Sequence, residues 1–306
     1  MKQNKKVALV LSSGGSRGLA QAGAIQALEE NGFQIASVVG SSIGAVIGGV
    51  YAMGQLETYT NWIKTLNKRD VWGLMDFTLA PHGLIKGEKV FEKMKMLIPD
   101  MPIEQMHIPY AAVATDILNE QEVVFTRGSF YEAARASIAI PAVITPVKFG
   151  NTFLVDGGVL NPVPIEHVPR TGDELLVVIN LYGEPLTKTA EKNIAHHQAH
   201  YQTDLTDANG RFSINGFINR LSRLTSSADK QSLGYYSLLT ASSSAMVRRM
   251  AQLTIARHRH EIDILVNIPA DSAGTFEFFK ASELMELGKE LMSEAIATYK
   301  QRCIMA

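Results

Sequence analysis

Hydrophobic and polar positions between Val7 and Met53 alternate between two kinds of segment. Val7–Leu11 is an unbroken apolar run closed by a Ser/Gly cluster, the pattern of a strand buried on both faces. It is followed by GLAQAGAIQALEENG, where Leu19, Ala22, Ile25 and Leu28 recur on one helical face and Gly32 supplies a stop. Ile35–Val39 then reads as a second strand and Ser42–Met53 as a helix of small residues. Two strands, each followed by a helix, predict a parallel sheet and an α/β fold. Residues 55–105 are mainly helical and amphipathic, most clearly at LETYTNWIKTLN and GEKVFEKMKMLI. Strands resume at PYAAVATDI and QEVVFT, and a helix at FYEAARASIA is stopped by Pro141. VITPVKF, NTFLVDGG and ELLVVINLY read as further strands. From Glu184 to about Ser227 the chain is polar and lacks a steady period, broken only by the amphipathic piece GFINRLSRL. A helix over Asp229–His258, a strand at IDILVNI and a helix over Ala281–Arg302 complete the pattern. With no internal repeat and no low-complexity linker, one domain is expected over 1–306: a core at about 7–183, a polar excursion at about 184–227 and C-terminal elements at about 228–302.

Composition narrows the functional classes. With 306 residues and 46% hydrophobic content, a sizeable buried core is expected. The formal charge of -1 provides no general field to draw the chain to nucleic acid or anionic lipid, so binding must come from a local site. Cys303 is the single cysteine, which excludes an internal disulfide or a cysteine-rich metal site and fits a reducing, cytoplasmic setting. The amino-terminal apolar run is too short for a signal peptide. Residues 31–56 carry no charge, yet Gly32, Gly40, Gly44, Gly48, Gly49 and Gly54 interrupt them among serines. A strand, a turn and a buried helix account for this window better than a membrane span.

Within that window, Gly40-Ser41-Ser42-Ile43-Gly44 matches G-x-S-x-G after a predicted strand and at the start of a predicted helix. A nucleophile elbow requires this placement: small residues two before and two after the serine let strand and helix approach while Ser42 projects at the strand end. The same residues also make a plain tight turn or an anion site at a helix start. Ser12-Ser13-Gly14-Gly15-Ser16-Arg17-Gly18 follows the first strand in the same way, which brings a row of glycine amides to the same sheet edge. Amides near Gly14 and Gly15 are suited to an oxyanion, and Arg17 to bracing the loop or meeting a phosphate. Neither G-x-G-x-x-G nor G-x-x-x-x-G-K-[ST] is present, which argues against a nucleotide loop. None of the eight histidines lies in a turn that presents a catalytic group; His196, His197 and His200 form at most a weak metal cluster in the polar excursion. Asp156 is the better partner for the serine, since it ends a predicted strand and precedes Gly157 and Gly158, although Asp-Gly-Gly is equally a hairpin signal.

Together these elements resemble the patatin-like phospholipase family, whose pattern is G-G-G-x-[RK]-G, then G-x-S-x-G, then D-G-[GA]. The resemblance covers roughly Val7–Val178 and includes ARASIAIPAVITPV, similar to the family's A-S-x-A-x-P-x-x-F-x-P segment. It implies a three-layer α/β/α fold related to cytosolic phospholipase A2, a Ser-Asp dyad, and hydrolysis of fatty acyl esters without calcium or another cofactor. It carries over Ser42 as nucleophile, Asp156 as base, and the loop Ser13, Gly14, Gly15, Ser16, Arg17 and Gly18 as the oxyanion loop. Ser13 replaces the first glycine of the pattern, and Gln21 stands where many bacterial members have histidine.

A carboxylate is a weak base toward a hydroxyl, so a dyad needs burial to raise its pKa, and it suits esters, whose alkoxide leaves more readily than an amine. The expected substrates are phospholipids, lysophospholipids or other fatty acyl esters, with a transient membrane contact. The alternatives are an acyltransferase or thioesterase using the same acyl-serine, and a non-catalytic lipid-binding regulatory module. Phe77, Leu79, Leu84, Ile85 and the stretch Met94–Met101 are candidates for an acyl groove, and GFINRLSRL for a lid or a bilayer contact.

Overall fold

The first apolar run becomes a central strand of the sheet. A computed structural model describes residues 5–78, 83–185 and 235–305. The leading half comprises β1 (Lys5–Leu11), α1 (Leu19–Glu30), β2 (Phe33–Ser41), α2 (Ile43–Ala52), α3 (Leu56–Thr65), α4 (Lys68–Leu74) and α5 (Glu88–Leu97). It continues with β3 (Tyr110–Asp116), β4 (Gln121–Phe125), α6 (Phe130–Ser137), β5 (Val147–Phe149), β6 (Thr152–Asp156) and β7 (Leu175–Gly183). After the interval, α7 (Tyr235–Arg257), β8 (Ile264–Pro269) and α8 (Ala281–Met305) follow.

Pairing runs in the order β5-β6-β3-β2-β1-β7-β8, with β4 also on β3. The β3-β2-β1-β7-β8 run is parallel throughout, and β4, β5 and β6 pair antiparallel. Alternate residues of β1 enter different layers: Val7, Leu9 and Leu11 pack with α1, α2 and α8, whereas Ala8 and Val10 pack with Ala251 of α7 and Val163, Ile165 and Val168. The mainly parallel sheet is the one the sequence pattern predicts, and its helices on both faces make the three-layer α/β/α sandwich that the family resemblance implies. Helices α1 and α8 touch backbone to backbone, since a Cβ on Gly23 or on Gly288 would fall 1.8 Å from the carbonyl oxygen of Met285 or Ala20.

Several boundaries differ from the sequence expectation. Strand β2 runs to Ser41 because it keeps pairing beyond Val39, Gly40 with Leu11 of β1 and Ser41 with Val113 of β3. LETYTNWIKTLN forms a single helix, α3, that stops at Thr65, and its last residue, Asn67, accepts the amides of Arg69 and Asp70 at 2.8 and 3.2 Å and starts α4 through a capping box. Of VITPVKF only Val147–Phe149 is a strand, while Ile144 makes an isolated bridge to Ile85. The last helix extends to Met305. The uncharged window folds as β2, a turn and the buried helix α2, and among the described residues no helix is long and apolar enough to cross a membrane. The His196–His200 group, GFINRLSRL, Leu79 and the first turns of the expected Asp229–His258 helix lie outside the described residues.

Candidate active site

Register on β3 explains how residues more than a hundred positions apart meet. Ala112 and Val113 pair with both β2 and β4, and Ala114, Thr115 and Asp116 pair with both β4 and β6. A strand has two edges, so β4 occupies one, and β2 and β6 must share the other. They abut end to end there: β2 finishes with Ser41 opposite Val113, and β6 finishes with Asp156 opposite Ala114. Ser41 and Asp156 thus occupy neighbouring rungs of a single template strand, and Ser42, the next residue after Ser41, turns off that rung toward Asp156.

The turn at Ser42 has the strained geometry expected of an elbow, with φ 54° and ψ -125° at a non-glycine residue. Its flanking glycines are needed for space. A Cβ on Gly40 would lie 2.2 Å from the Gly44 carbonyl, and one on Gly44 would lie 2.3 Å from the Leu11 carbonyl oxygen. The Ser42 amide donates to Ser137 Oγ at 2.8 Å, and Ser137 Oγ–H donates to the Val113 carbonyl at 2.6 Å. Ser137 is fully buried and ties the elbow to α6 and β3. It belongs to the ARASIAIP segment, but nothing in that segment reveals that its hydroxyl meets an amide 95 residues away. Ser137→Ala leaves a buried amide unpartnered, and kcat for a soluble ester is expected to fall about tenfold with KM little changed, as measured by steady-state kinetics.

Ser42 Oγ–H donates to Asp156 Oδ2 at 2.5 Å, and Asp156 Oδ1 accepts from the Gly158 amide at 2.7 Å. Both residues are buried, at 4% and 6% exposure. Burial pushes the Asp156 carboxyl up to about 6, outweighing the two hydrogen bonds that favour its charged form. Gly157 is required beside it, because a Cβ there would fall 2.1 Å from the Val113 carbonyl oxygen.

The loop after β1 lies against the same edge. Ser12, Ser13 and Ser16 give their amides to the carbonyls of Ile179, Pro162 and Thr275. The amides of Gly14 and Gly15 donate to no protein acceptor among the described residues. Gly15 has φ 62°, and a side chain there would strike Thr275, so glycine is needed on both counts. Gly18 gives room, since a Cβ on it would lie 2.3 Å from Ile43 Cγ1. Arg17 braces the loop, with Nε on the Gly14 carbonyl at 3.0 Å, Nη1 on the Ala270 carbonyl at 2.5 Å, and the guanidinium 5.4 Å from the Tyr182 ring centre. Gln21 is structural, its Nε2 donating to the Ser12 carbonyl at 2.8 Å. Among the described residues no histidine is hydrogen-bonded to Ser42, and no cluster of histidine, cysteine or acidic side chains could hold a metal.

From Ser42 and Gly15 an apolar cleft of about 930 Å³, its open mouth included, runs between α2, α3, α4 and α5. Val46, Ile63, Leu74, Val90, Phe91 and Phe278 are among its walls. Of the acyl-groove candidates read from sequence, Ile85 and Met94 line it; Phe77 and Leu84 do not, and Met96 points outward at 76% exposure.

A family model described as patatin-like phospholipase matches residues 9–169. The chain belongs to the patatin-like phospholipase family and is a hydrolase of carboxylic ester bonds in lipids. An uncharacterised NTE family protein of Mycobacterium tuberculosis is 31% identical over 96% of this chain and 92% of its own length. Lysophospholipase NTE1 of Debaryomyces hansenii is 28% identical over 58% of this chain and 12% of its own length. The crystal structure of VipD from Legionella pneumophila superposes with a TM-score of 0.49 at 14% identity, covering 97% of this chain and 67% of that one.

Proposed function

We propose that Ser42 and Asp156 form a catalytic dyad that cleaves fatty acyl esters, phospholipids and lysophospholipids among them, through an acyl-serine intermediate. The observation that carries this reading is the 2.5 Å hydrogen bond from a strained, buried serine to a carboxylate at the head of an apolar cleft. As Ser42 Oγ attacks the ester carbonyl carbon, its proton passes to Asp156, and the carbonyl oxygen becomes an oxyanion beside the amides of Gly14 and Gly15. Collapse breaks the ester C–O bond, and the departing alkoxide takes the proton from Asp156. Water then attacks the acyl-serine, gives a proton to Asp156, and the proton returns to Ser42 Oγ as the fatty acid leaves. The neutral carboxyl is stabilised by burial, so a group near 6 is matched to receiving and returning this proton at neutral pH.

The cleft takes the acyl chain, and each buried methylene is worth about 0.8 kcal/mol, close to a fourfold preference. Val90 is a half-buried wall residue, so Val90→Trp fills space with little disturbance of the core. It is expected to lower kcat/KM for long-chain p-nitrophenyl esters by roughly tenfold or more while sparing the acetate ester. A fluorophosphonate probe followed by peptide mass spectrometry tests the nucleophile directly: the adduct is expected on the peptide containing Ser42. An adduct on another serine, or none, overturns the assignment.

A further inference from the structure

Ser13 departs from the first glycine of the oxyanion-loop pattern, and its side chain has a defined place. It is 3% exposed, and Ser13 Oγ shares a 2.6 Å hydrogen bond with Tyr182 Oη at the end of β7. Ser13 Oγ also sits 2.7 Å, and Ser13 Cβ 3.1 Å, from the point a Cβ on Gly158 would occupy, with Asp156 Oδ1 3.0 Å from that same point. The hydroxyl thus rests against the residue whose amide holds Asp156 Oδ1. Tyr182 is linked the other way as well: its ring underlies the Arg17 guanidinium, whose Nε holds the Gly14 carbonyl. Burial pushes the Tyr182 phenol above its ordinary range, with Arg17 and Ser13 opposing, so it is a neutral hydroxyl at working pH and a hydrogen-bond partner, not a base.

We propose that Ser13 and Tyr182 form a hydrogen-bonded wedge that sets the Asp156-Gly157-Gly158 turn against the oxyanion loop, which makes both of them positioning residues for ester cleavage. This rests on the dyad reading above. The amide bonds from Ser12 and Ser13 fix the loop's backbone to β7 and to Pro162, and the next residue back, Asn161, donates to the Gly157 carbonyl at 2.8 Å, so the main chain ties the loop to the far side of the acid turn. The Ser13–Tyr182 pair adds the side-chain contact on the near side, against Gly158, whose amide holds Asp156 Oδ1, and so sets the distance between the carboxylate and the amides of Gly14 and Gly15. A displacement of an ångström between them is costly, because proton transfer and oxyanion binding occur in one step.

Ser13→Gly restores the family pattern and deletes one hydroxyl, and Tyr182→Phe deletes the other. With a short, neutral p-nitrophenyl ester, each is expected to lower kcat about tenfold while leaving KM within twofold. The double variant is expected to be no slower than the slower single variant, since both remove the same contact. Ser42→Ala runs beside them as the control. Single variants with kcat within twofold of the parent, or effects that multiply in the double variant, overturn the wedge while Ser42→Ala remains inactive. Activity that survives in Ser42→Ala instead overturns the dyad on which it stands. If Tyr182→Phe fails to fold, Ser13→Gly decides alone, because glycine is the residue that the pattern itself places there.

Discussion

Asp156→Asn is expected to remove turnover and to make the protein more stable at neutral pH. The amide keeps both contacts, with its oxygen accepting from Gly158 and its nitrogen facing Ser42 Oγ, so the turn should survive. It cannot accept the serine proton, and losing a positioned general base lowers kcat by about 10²- to 10⁴-fold. The stability gain follows from burial. The folded carboxyl titrates at about 6, against an unfolded value near 3.8, so the folded state holds the proton more tightly. A carboxyl raised in this way costs nothing below the unfolded pKa. Its full cost is reached once pH has risen above about 6, and is then roughly 3 kcal/mol. Thermal unfolding of the variant at pH 8 should therefore occur several degrees above the parent, and the difference should vanish near pH 4. The parent's kcat/KM should rise tenfold per pH unit up to about pH 6 and then level off, because the base must be ionised in the free enzyme. A stability gain that grows toward acid pH would contradict the buried, raised carboxyl.

Ser42→Ala and Ser42→Gly should be equally inactive, on the order of 10⁴-fold or more below the parent, yet unequal in stability. At φ 54° and ψ -125° a side chain strains the backbone, and alanine keeps that strain. Glycine relieves it, by about 1–3 kcal/mol, against an entropic penalty of about 0.5–1 kcal/mol. Ser42→Gly should therefore melt above Ser42→Ala in paired denaturation curves. Equal melting would mean that the elbow stores no strain.

The elements that the chain's periodicity dictates were readable from sequence, and so were the turns made by short-range chemistry. Val7–Leu11 declares a buried strand by its composition, and the glycines around Ser42 declare a close strand-to-helix approach because no larger residue fits. Long-range pairing was not readable. Nothing in TFLVD shows that it pairs antiparallel with β3 on the edge where β2 stops, since this depends on register set by Ala114–Asp116. Ser137 and Tyr182 escaped for a related reason: one acts through an amide and the other through a partner hydroxyl, each far away in sequence. The short helix α4 went unread because the amphipathic stretch quoted before it ends at Asn67, the residue that caps it.

Because two strands meet tip to tip on β3, the contact between Ser42 and Asp156 needs both junctions to have formed. The strand that ends just before Ser42 joins β3 by a parallel crossover through α2 to α5, whereas the strand that ends in Asp156 must return after α6 and the β5 hairpin. Both are non-local contacts, which form late because chain closure must come first. On the proposed dyad, a nascent or partially unfolded molecule would be unarmed, and turnover would begin only when the sheet is complete.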